Sequence, residues 1–344
     1  MPDFFTNFGT LLTDSFLQQG ALWALTNIPN FPPIIQTVHI LGIAVIMGTA
    51  VLLGLRVLGL AIPSQAVSEL NTRVMPWFWI ALATNIFSGA FFVFGRPMRY
   101  FNNPVFATKM ACLLPALLLL AFFFHMHKRD TSYWEQQSHK LAAKFTALLW
   151  ILLLLAVSTA GRWIAYREYL DYPLWYMEPY FDGSEFTFWV GVENWGLSQI
   201  IAATNWFPTL ETIHVIAAAM VVGSILWVDL RLIGVAATRY PITTLNRELI
   251  PWTWGAFAIA TITGLGMFIT RAAGHLDNPA FQSKLVLLVL AGLNMAYFHV
   301  KVYRNVQQWN KAADTPSQVK AAGILSLILW SGVMLAGRWV GHIV

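Results

Sequence analysis

Histidine is the residue type in this sequence best suited to ligand chemistry, and two pairs of histidines recur at nearly the same spacing. His39 precedes His214 by 175 residues, and His125 precedes His299 by 174. All four lie in long apolar stretches, where an ionisable side chain is costly and usually functional. Imidazole is the usual axial ligand of haem b, a cofactor that needs no cysteine and suits helical bundles. The four histidines are therefore the candidate metal ligands.

The histidine spacing belongs to a repeat that runs through the chain. The matched segments include Pro76-Trp77 with Pro251-Trp252, Asn103-Pro104 with Asn278-Pro279, Lys109 with Lys284, and Ala-Gly-Arg-Trp at 160–163 with the same four residues at 336–339. Several short motifs held in register over two halves of a chain indicate an internal duplication. We therefore predict a first unit at 1–165 with a short N-terminal helix, an acidic and aromatic connector at 166–185, and a second unit at 186–344.

Composition defines the class of protein. The chain is 57% hydrophobic and 11% charged, whereas soluble domains carry about 25% charged residues. Eight apolar stretches are long enough to span a bilayer, at 34–58, 77–95, 107–127, 142–163, 209–233, 252–271, 282–302 and 320–340. The prediction is an all-α integral membrane protein with eight transmembrane helices. Because four spans per unit is an even number, the two repeats should be parallel, related by a pseudo-twofold axis along the membrane normal.

Basic residues set the expected orientation. Of the 21 lysines and arginines, 13 lie on the side that holds the loops between the first and second and between the third and fourth helices of each unit. The positive-inside rule makes this side cytoplasmic and places both termini and the connector outside. The connector is interpreted as an interfacial loop or as a docking surface for a periplasmic redox or metal-binding partner.

Depth decides which histidines could share one haem. His39 lies near the outer end of its helix and His125 near the inner end, so about 20 Å separates them along the membrane normal. Pairing across the repeat avoids this difference. We predict one haem between His39 and His214 and a second between His125 and His299, if the first and third helices of both units form a central bundle.

Two variants of this arrangement stay open. In one, a single outer haem is bound and the inner histidines only flank the bundle. In the other, each unit holds its own haem, with Met98 or His275 as a candidate second ligand. Gly42 and Ala217, three residues after the outer histidines, would leave room for a porphyrin, and Gln36 and Glu211, three residues before, are candidate partners for the second ring nitrogen.

Arginines are candidate partners for the haem propionates. They are expected at the outer end (Arg96, Arg271, Arg162 and Arg338) and at the inner end (Arg56 and Arg231). The alternative interpretation is that these side chains reach the lipid headgroups without any ligand.

Several classes of function are excluded by composition. Cys112 is the one cysteine, which excludes thiolate zinc sites, iron–sulfur clusters and c-type haem attachment. The net charge of +5 comes from few charges, so nucleic acid is not an expected partner. The sequence has no carboxylate pair, nucleophile triad or phosphate-binding loop, so hydrolytic and ATP-driven chemistry is not expected. An electron-transfer protein or subunit is favoured over a stand-alone enzyme.

Each unit resembles the four-helix membrane domain of the copper resistance protein D family. The resemblance rests on Ile-His-Val-Ile-Ala-Ala-Ala-Met-Val-Val-Gly at 213–223, Thr263-Gly264, and Lys-Leu-Val-Leu-Leu-Val-Leu-Ala-Gly-Leu-Asn at 284–294. A fainter similarity is to the small membrane protoporphyrinogen oxidase of bacteria, and each unit also resembles uncharacterised bacterial four-helix proteins. These resemblances imply a bacterial inner-membrane protein that handles copper or haem.

The leading hypothesis is a b-type cytochrome with one or two haems that exchanges electrons with a periplasmic partner or with quinone in the lipid bilayer. The alternatives are a copper-handling protein, with His39, His214, His275 and His342 as candidate ligands, and a haem-dependent membrane oxidoreductase. The scattered methionines and the absence of Cys-Pro-Cys argue against copper transport, because Cu(I) prefers soft sulfur ligands. A purely structural membrane subunit is the remaining alternative.

Overall fold

The computed structural model describes residues 2–168, 182–312 and 314–341. Over these ranges the chain forms helices and turns without any β-strand, and eight helices are long and apolar enough to cross a membrane. We number them α1 (Phe31–Leu58), α2 (Val67–Gly95), α3 (Pro104–Arg129), α4 (Lys140–Tyr166), α5 (Trp206–Ile233), α6 (Ile242–Asp277), α7 (Pro279–Trp309) and α8 (Ser317–Trp339). The predicted all-α membrane fold with eight spans is confirmed. Most of the predicted connector, and His342, lie outside the described residues.

Short helices precede the first span of each unit. Pro2–Leu12 and Phe16–Asn27 come before α1, and Thr187–Glu193 and Gly196–Ala203 come before α5. Helix α2 begins ten residues before the predicted apolar stretch and continues through Pro76. Its first turns carry polar residues that a hydropathy pattern leaves out, which is why the sequence places its start too late.

Helices α1 and α5 occupy the centre of the bundle. In their most apolar windows 61% and 56% of the residues are buried, against 17% in both α3 and α7. Helix α4 packs against α1 and α5, and α8 packs against α5 and α1. The central four helices are therefore the first and fourth of each unit. The prediction that the third helices lie at the centre is wrong.

The two central helices cross at a pair of glycines. A Cβ atom built on Gly48 would lie 2.7 Å from the Cα of Gly223, and one built on Gly223 would lie 2.5 Å from the carbonyl oxygen of Ala44. Ala44 and Ala219, one turn earlier, are buried. Small residues four apart allow two membrane helices to approach at backbone distance.

Helix α1 widens at this crossing, and α5 does not. Met47–Val51 forms one π-helical turn, which leaves backbone carbonyls free for other donors. The indole of Trp227 in α5 donates to the Gly48 carbonyl at 2.6 Å, and the indole of Trp150 in α4 donates to the Ala50 carbonyl at 3.1 Å. Two tryptophans therefore stabilise the irregular turn.

The second and third helices of each unit are held apart. The second helix packs against the first, the first against the fourth, and the fourth against the third, while the second and third helices barely touch. We call the space between α2 and α3 the first groove, and the space between α6 and α7 the second groove. The end of the bundle that carries His39 and His214 is called the histidine end, and the opposite end, with Arg56 and Arg231, the basic end.

Candidate functional site

The imidazole of His39 faces the second helix of its own unit. The ring is half-buried, and its Nδ1 lies 2.9 Å from the Ser88 hydroxyl and close to the backbone carbonyl of Asn85. Gly89 leaves room for the ring, because a Cβ at that position would be 3.3 Å from the His39 Cε1 atom.

His214 repeats this arrangement in the second unit. Its Nδ1 lies 2.8 Å from the carbonyl oxygen of Ala260 and 3.3 Å from the Thr263 hydroxyl. A Cβ at Gly264 would be 3.0 Å from the ring. The partners on α6 stand at the positions that match Asn85, Ser88 and Gly89 in the sequence repeat.

These partners determine the tautomer of the ring. A carbonyl oxygen only accepts hydrogen bonds, so Nδ1 of His214 carries the proton and donates it to Ala260. The lone pair of the neutral ring is then on Nε2. A histidine that ligates a metal commonly donates its other ring N–H to a carbonyl in this way, which fixes the orientation of the ring.

A lysine faces each histidine from the third helix. Lys109 is close enough to His39, and Lys284 to His214, for their charges to interact. Both lysines are half-buried, and each aliphatic chain passes over a glycine of the fourth helix. A Cβ at Gly161 would be 3.6 Å from the Lys109 Nζ, and one at Gly337 would be 3.7 Å from the Lys284 Cε.

The repeated Asn-Pro segment places these lysines. The Asn103 side chain accepts from the backbone N–H of Val105 at the start of α3 and donates to the Ile164 carbonyl of α4 at 3.1 Å. Asn278 caps α7 in the same way and donates to the Val340 carbonyl at 3.2 Å. Each asparagine thus begins the third helix and ties it to the end of the fourth, so the lysine further along the third helix has a defined depth.

Sequence patterns alone did not identify the lysines and the hydroxyls as site residues. Lys109 and Lys284 lie in apolar stretches at matched positions of both units, and an intramembrane cation is itself a functional signal. Ser88 and Thr263 carry no such signal, because hydroxyls often bond back to their own helix. Only the packing of the second helix on the first reveals their role.

The predicted pairing of His39 with His214 is not what the structure shows. Each ring lies against the second helix of its own unit. His39 and the crossing glycine Gly48 are separated by two and a half turns and therefore lie on opposite faces of one helix. The space beside Gly42 is also filled, since a Cβ there would collide with the Asn85 side chain. Each unit therefore has its own candidate site.

The inner pair of histidines is not brought together either. His125 and His299 are exposed, and the third helices that carry them pack against the fourth helix of their own unit. A haem between these two residues requires α3 and α7 to lie at the centre of the bundle. Because the observed packing places them at the outside, this predicted site is not formed.

Arg162 and Arg338 join the two units at the histidine end. Arg162 of α4 forms a 2.5 Å ion pair with Glu211 of α5, which also accepts from the Tyr166 hydroxyl. Arg338 of α8 donates to the side-chain oxygen of Gln36 in α1. Gln36 and Glu211 therefore bind arginines of the other unit and not the Nδ1 atoms of the imidazoles, and Glu211 stays within electrostatic reach of His214.

The two reciprocal contacts differ in charge, which gives a test. We expect Glu211→Gln to keep the hydrogen bond from Arg162 to its one side-chain oxygen and to cost less than about 1 kcal/mol, since it copies the Gln36–Arg338 contact. Glu211→Ala leaves a half-buried guanidinium without its partner and should cost about 2 kcal/mol, less than a fully buried pair. Thermal unfolding in detergent measures both changes, with Gln36→Ala as the matched variant. Equal losses for the two Glu211 variants would show that the hydrogen bonds contribute nothing without the charge.

Arg56 and Arg231 hold loops at the basic end. Arg56 donates from Nε to the Gln65 carbonyl at 2.5 Å. Arg231 is fully buried and donates to the carbonyls of Tyr240, Asn310 and Ala312 at 2.9–3.2 Å. The expectation that these two arginines bind haem propionates is corrected, because their guanidinium groups donate to backbone carbonyls instead.

The remaining candidates lie near the mouths of the grooves. Arg96 is exposed, and Arg271 is half-buried within electrostatic reach of Glu193. The sulfur of Met98 lies against Gly9 of the N-terminal helix. His275 donates from Nδ1 to the Arg271 carbonyl at 2.6 Å, and it interacts with Lys284. It stays a candidate second ligand in the second groove.

One buried acid distinguishes the two central helices. Asp229 of α5 is 3% exposed and is hydrogen-bonded to Ser326 of α8, and its Oδ2 has no partner among the described residues. The matched positions in the first unit are Gly54 and Trp150, which pack against each other. Within the described residues, no group of three or more histidine, cysteine or acidic side chains could hold a metal ion.

Comparison with known sequences identifies a family for this chain. The sequence model of one family matches the chain twice, over residues 29–167 and 199–343. Each match covers most of one predicted unit. The chain belongs to this family, DUF6644, which is a family of unknown function. No curated protein and no solved structure matches the chain.

Proposed function

We propose that the chain is a b-type haem membrane protein for electron transfer, with one haem in each unit rather than one between the units. A single observation carries the proposal. At matched positions of both units a half-buried imidazole has its Nδ1 fixed by a neighbouring hydroxyl and carbonyl, which leaves Nε2 as the ligating atom. The two units would be parallel repeats about a pseudo-twofold axis, and the reciprocal contacts of Arg162 and Arg338 support that relation.

The residues present fit a haem better than a bare metal ion. A zinc or Cu(II) ion takes three or four protein ligands, whereas a porphyrin supplies four nitrogens and needs one or two axial ligands from the protein. Each site offers one well-oriented imidazole, with His275 as an additional one in the second groove. The alternative of a copper-handling protein lacks a comparable cluster within the described ranges.

The other site residues would have defined roles. His39 and His214 would ligate the iron, and Lys109 and Lys284 would neutralise the haem propionates across the groove. A flat ligand would enter between the second and third helices of each unit, which barely touch. When bound, haem supplies reversible one-electron chemistry.

The position of the sites favours exchange at one face of the membrane. Both histidines lie eight residues after the start of their helices, about 12 Å along the helix. With the basic end in the cytoplasm by the positive-inside rule, the sites lie in the outer half of a bacterial inner membrane and both termini are periplasmic. A periplasmic redox protein could reach them from the water, and quinone from the lipid through the grooves.

Spectroscopy of the purified protein tests the proposal. The detergent-solubilised full chain, expressed with haem supplied, is expected to contain two haems per chain and to show a sharp b-type α-band after reduction with dithionite. Haem is quantified as the pyridine haemochrome, and copper by elemental analysis of the same sample. A colourless preparation, or one that carries copper without haem, would refute the proposal.

A further inference from the structure

A second binding region lies at the basic end, far from both histidine sites. A cavity of about 460 Å³ opens between the two units, within the size range of small-ligand sites. Its walls come from the start of α2, the end of α3, and the loop between α5 and α6. We call it the basic-end cavity, and the proposed haem sites make no use of it.

Cations and hydroxyl groups line this cavity. The cationic or imidazole side chains are Arg73, Arg239 and His127, and the hydroxyl side chains are Ser68, Thr72, Thr131, Thr238 and Tyr240. Glu69 is the one acidic lining residue among those described, and its carboxylate accepts from the Tyr240 hydroxyl. Two arginines against one carboxylate give this wall an excess of positive charge.

Arg73 is the best positioned of these donors. Its guanidinium lies over the Tyr240 ring at 5.1 Å and donates from Nη2 to the Gln65 side chain. Its buried Nε–H has no hydrogen-bond partner among the described residues. The guanidinium also interacts with the Tyr240 hydroxyl and with the Glu69 carboxylate. It is therefore fixed in the cavity wall, where its planar set of donors suits a tetrahedral oxyanion.

The neighbouring groups have their own partners. The Thr72 hydroxyl lies 2.8 Å from Nε2 of His127, and Glu135 accepts from the backbone N–H and hydroxyl of Ser68. Burial, and then the bond to Glu69, raises the pKa of Tyr240 to about 12, so its phenol stays neutral and adds no competing negative charge.

The matched position in the second unit carries an acidic residue instead of an arginine. Glu248 stands where the first unit has Arg73, and its carboxylate binds the backbone N–H and hydroxyl of Ser64. A carboxylate there repels an anion. The cationic wall around Arg73 is thus a feature of one side of the molecule and not a general consequence of basic loops.

We propose that the basic-end cavity binds a phosphoryl anion, held by Arg73 and Arg239 and by the hydroxyls of Thr131 and Thr238. Such a group could come from a soluble phosphate compound or from an anionic phospholipid headgroup of the adjacent leaflet. Both sources present the same tetrahedral oxyanion to the guanidinium groups, and separate binding measurements distinguish them.

The test uses the full chain in detergent and has two arms. In the first, inorganic phosphate and pyrophosphate are titrated by calorimetry at constant ionic strength. In the second, phosphatidylglycerol retained from mixed micelles is counted by native mass spectrometry. Binding in at least one arm is expected, and Arg73→Gln should weaken it about tenfold or more, because charge-assisted bonds are lost.

Two further variants keep the test decisive. Arg239 is exposed, so Arg239→Gln should fold normally and still weaken binding. Arg304→Gln removes an exposed arginine at the same end, outside the cavity, and should change nothing. Binding in the first arm identifies a soluble phosphate compound, and binding only in the second identifies a lipid. No binding in either arm, or equal effects of Arg239→Gln and Arg304→Gln, would overturn the proposal.

Discussion

Replacing His214 with alanine is expected to halve the haem content of the protein and leave the other haem spectroscopically unchanged. His39→Ala should remove the other haem, and the double variant should be colourless. The reason is the one-site-per-unit geometry, in which each imidazole is fixed against the second helix of its own unit. If the two histidines shared one iron, either single variant would affect the same haem.

Matched controls are available on the third helices. His125→Ala and His299→Ala change exposed imidazoles and should retain both haems. The measurement is pyridine haemochrome per chain, together with the reduced spectrum of each variant. Complete loss of haem in either single variant at position 39 or 214 would restore the bridging arrangement, and loss in the His125 variant would contradict the site assignment.

The second prediction concerns the stability that the close crossing of α1 and α5 gives to the protein. Gly223→Ala is expected to destabilise the protein by about 3 kcal/mol or more, because the added Cβ has no space between two backbones and overpacking of this kind is costly. Gly48→Ala should behave alike. Denaturant or thermal unfolding in detergent measures the loss, and size-exclusion chromatography reports whether the chain remains monodisperse.

Gly255 provides the control for this prediction. It lies in α6 facing open space, because a Cβ atom at this position would meet nothing within 4 Å. Alanine favours helix over glycine by about 1 kcal/mol, so Gly255→Ala should be neutral or slightly stabilising. Equal stability of the Gly223 and Gly255 variants would show that α1 and α5 can move apart at the crossing without loss of stability.

Much of the fold follows from the sequence, because hydropathy and the repeat determine it directly. The eight spans and the two units depend on apolar length and on matched motifs such as Asn103-Pro104 and Asn278-Pro279. Which helices lie at the centre does not follow from hydropathy, since third helices as apolar as the first ones can face lipid. The small residues Ala44, Gly48, Ala219 and Gly223 carry that information in their spacing.

The sequence identifies His39 and His214 as candidate site residues, but it does not show which helix each imidazole faces. His39 and His214 are singled out by their repetition inside apolar helices. The direction of each ring depends on the helix face that Gly48 and Gly223 bury, and this face becomes known only when the crossing is known. Arg56 and Arg231 show the same limit of sequence analysis. The sequence alone does not show whether an arginine will bind loop carbonyls or the carboxylate of a ligand.

The reciprocal contacts between the units have a consequence for how such a protein could arise. Arg162 contacts Glu211 and Arg338 contacts Gln36, so matched positions of the two units meet in both directions, which is the pairing that an isologous homodimer interface would give. A gene encoding one unit could have produced a two-chain assembly of this form before duplication and fusion. Fusion then frees each half to change alone, and the exchange of Gly54 and Trp150 for Asp229 and Ser326 is the kind of divergence that two identical chains could never acquire.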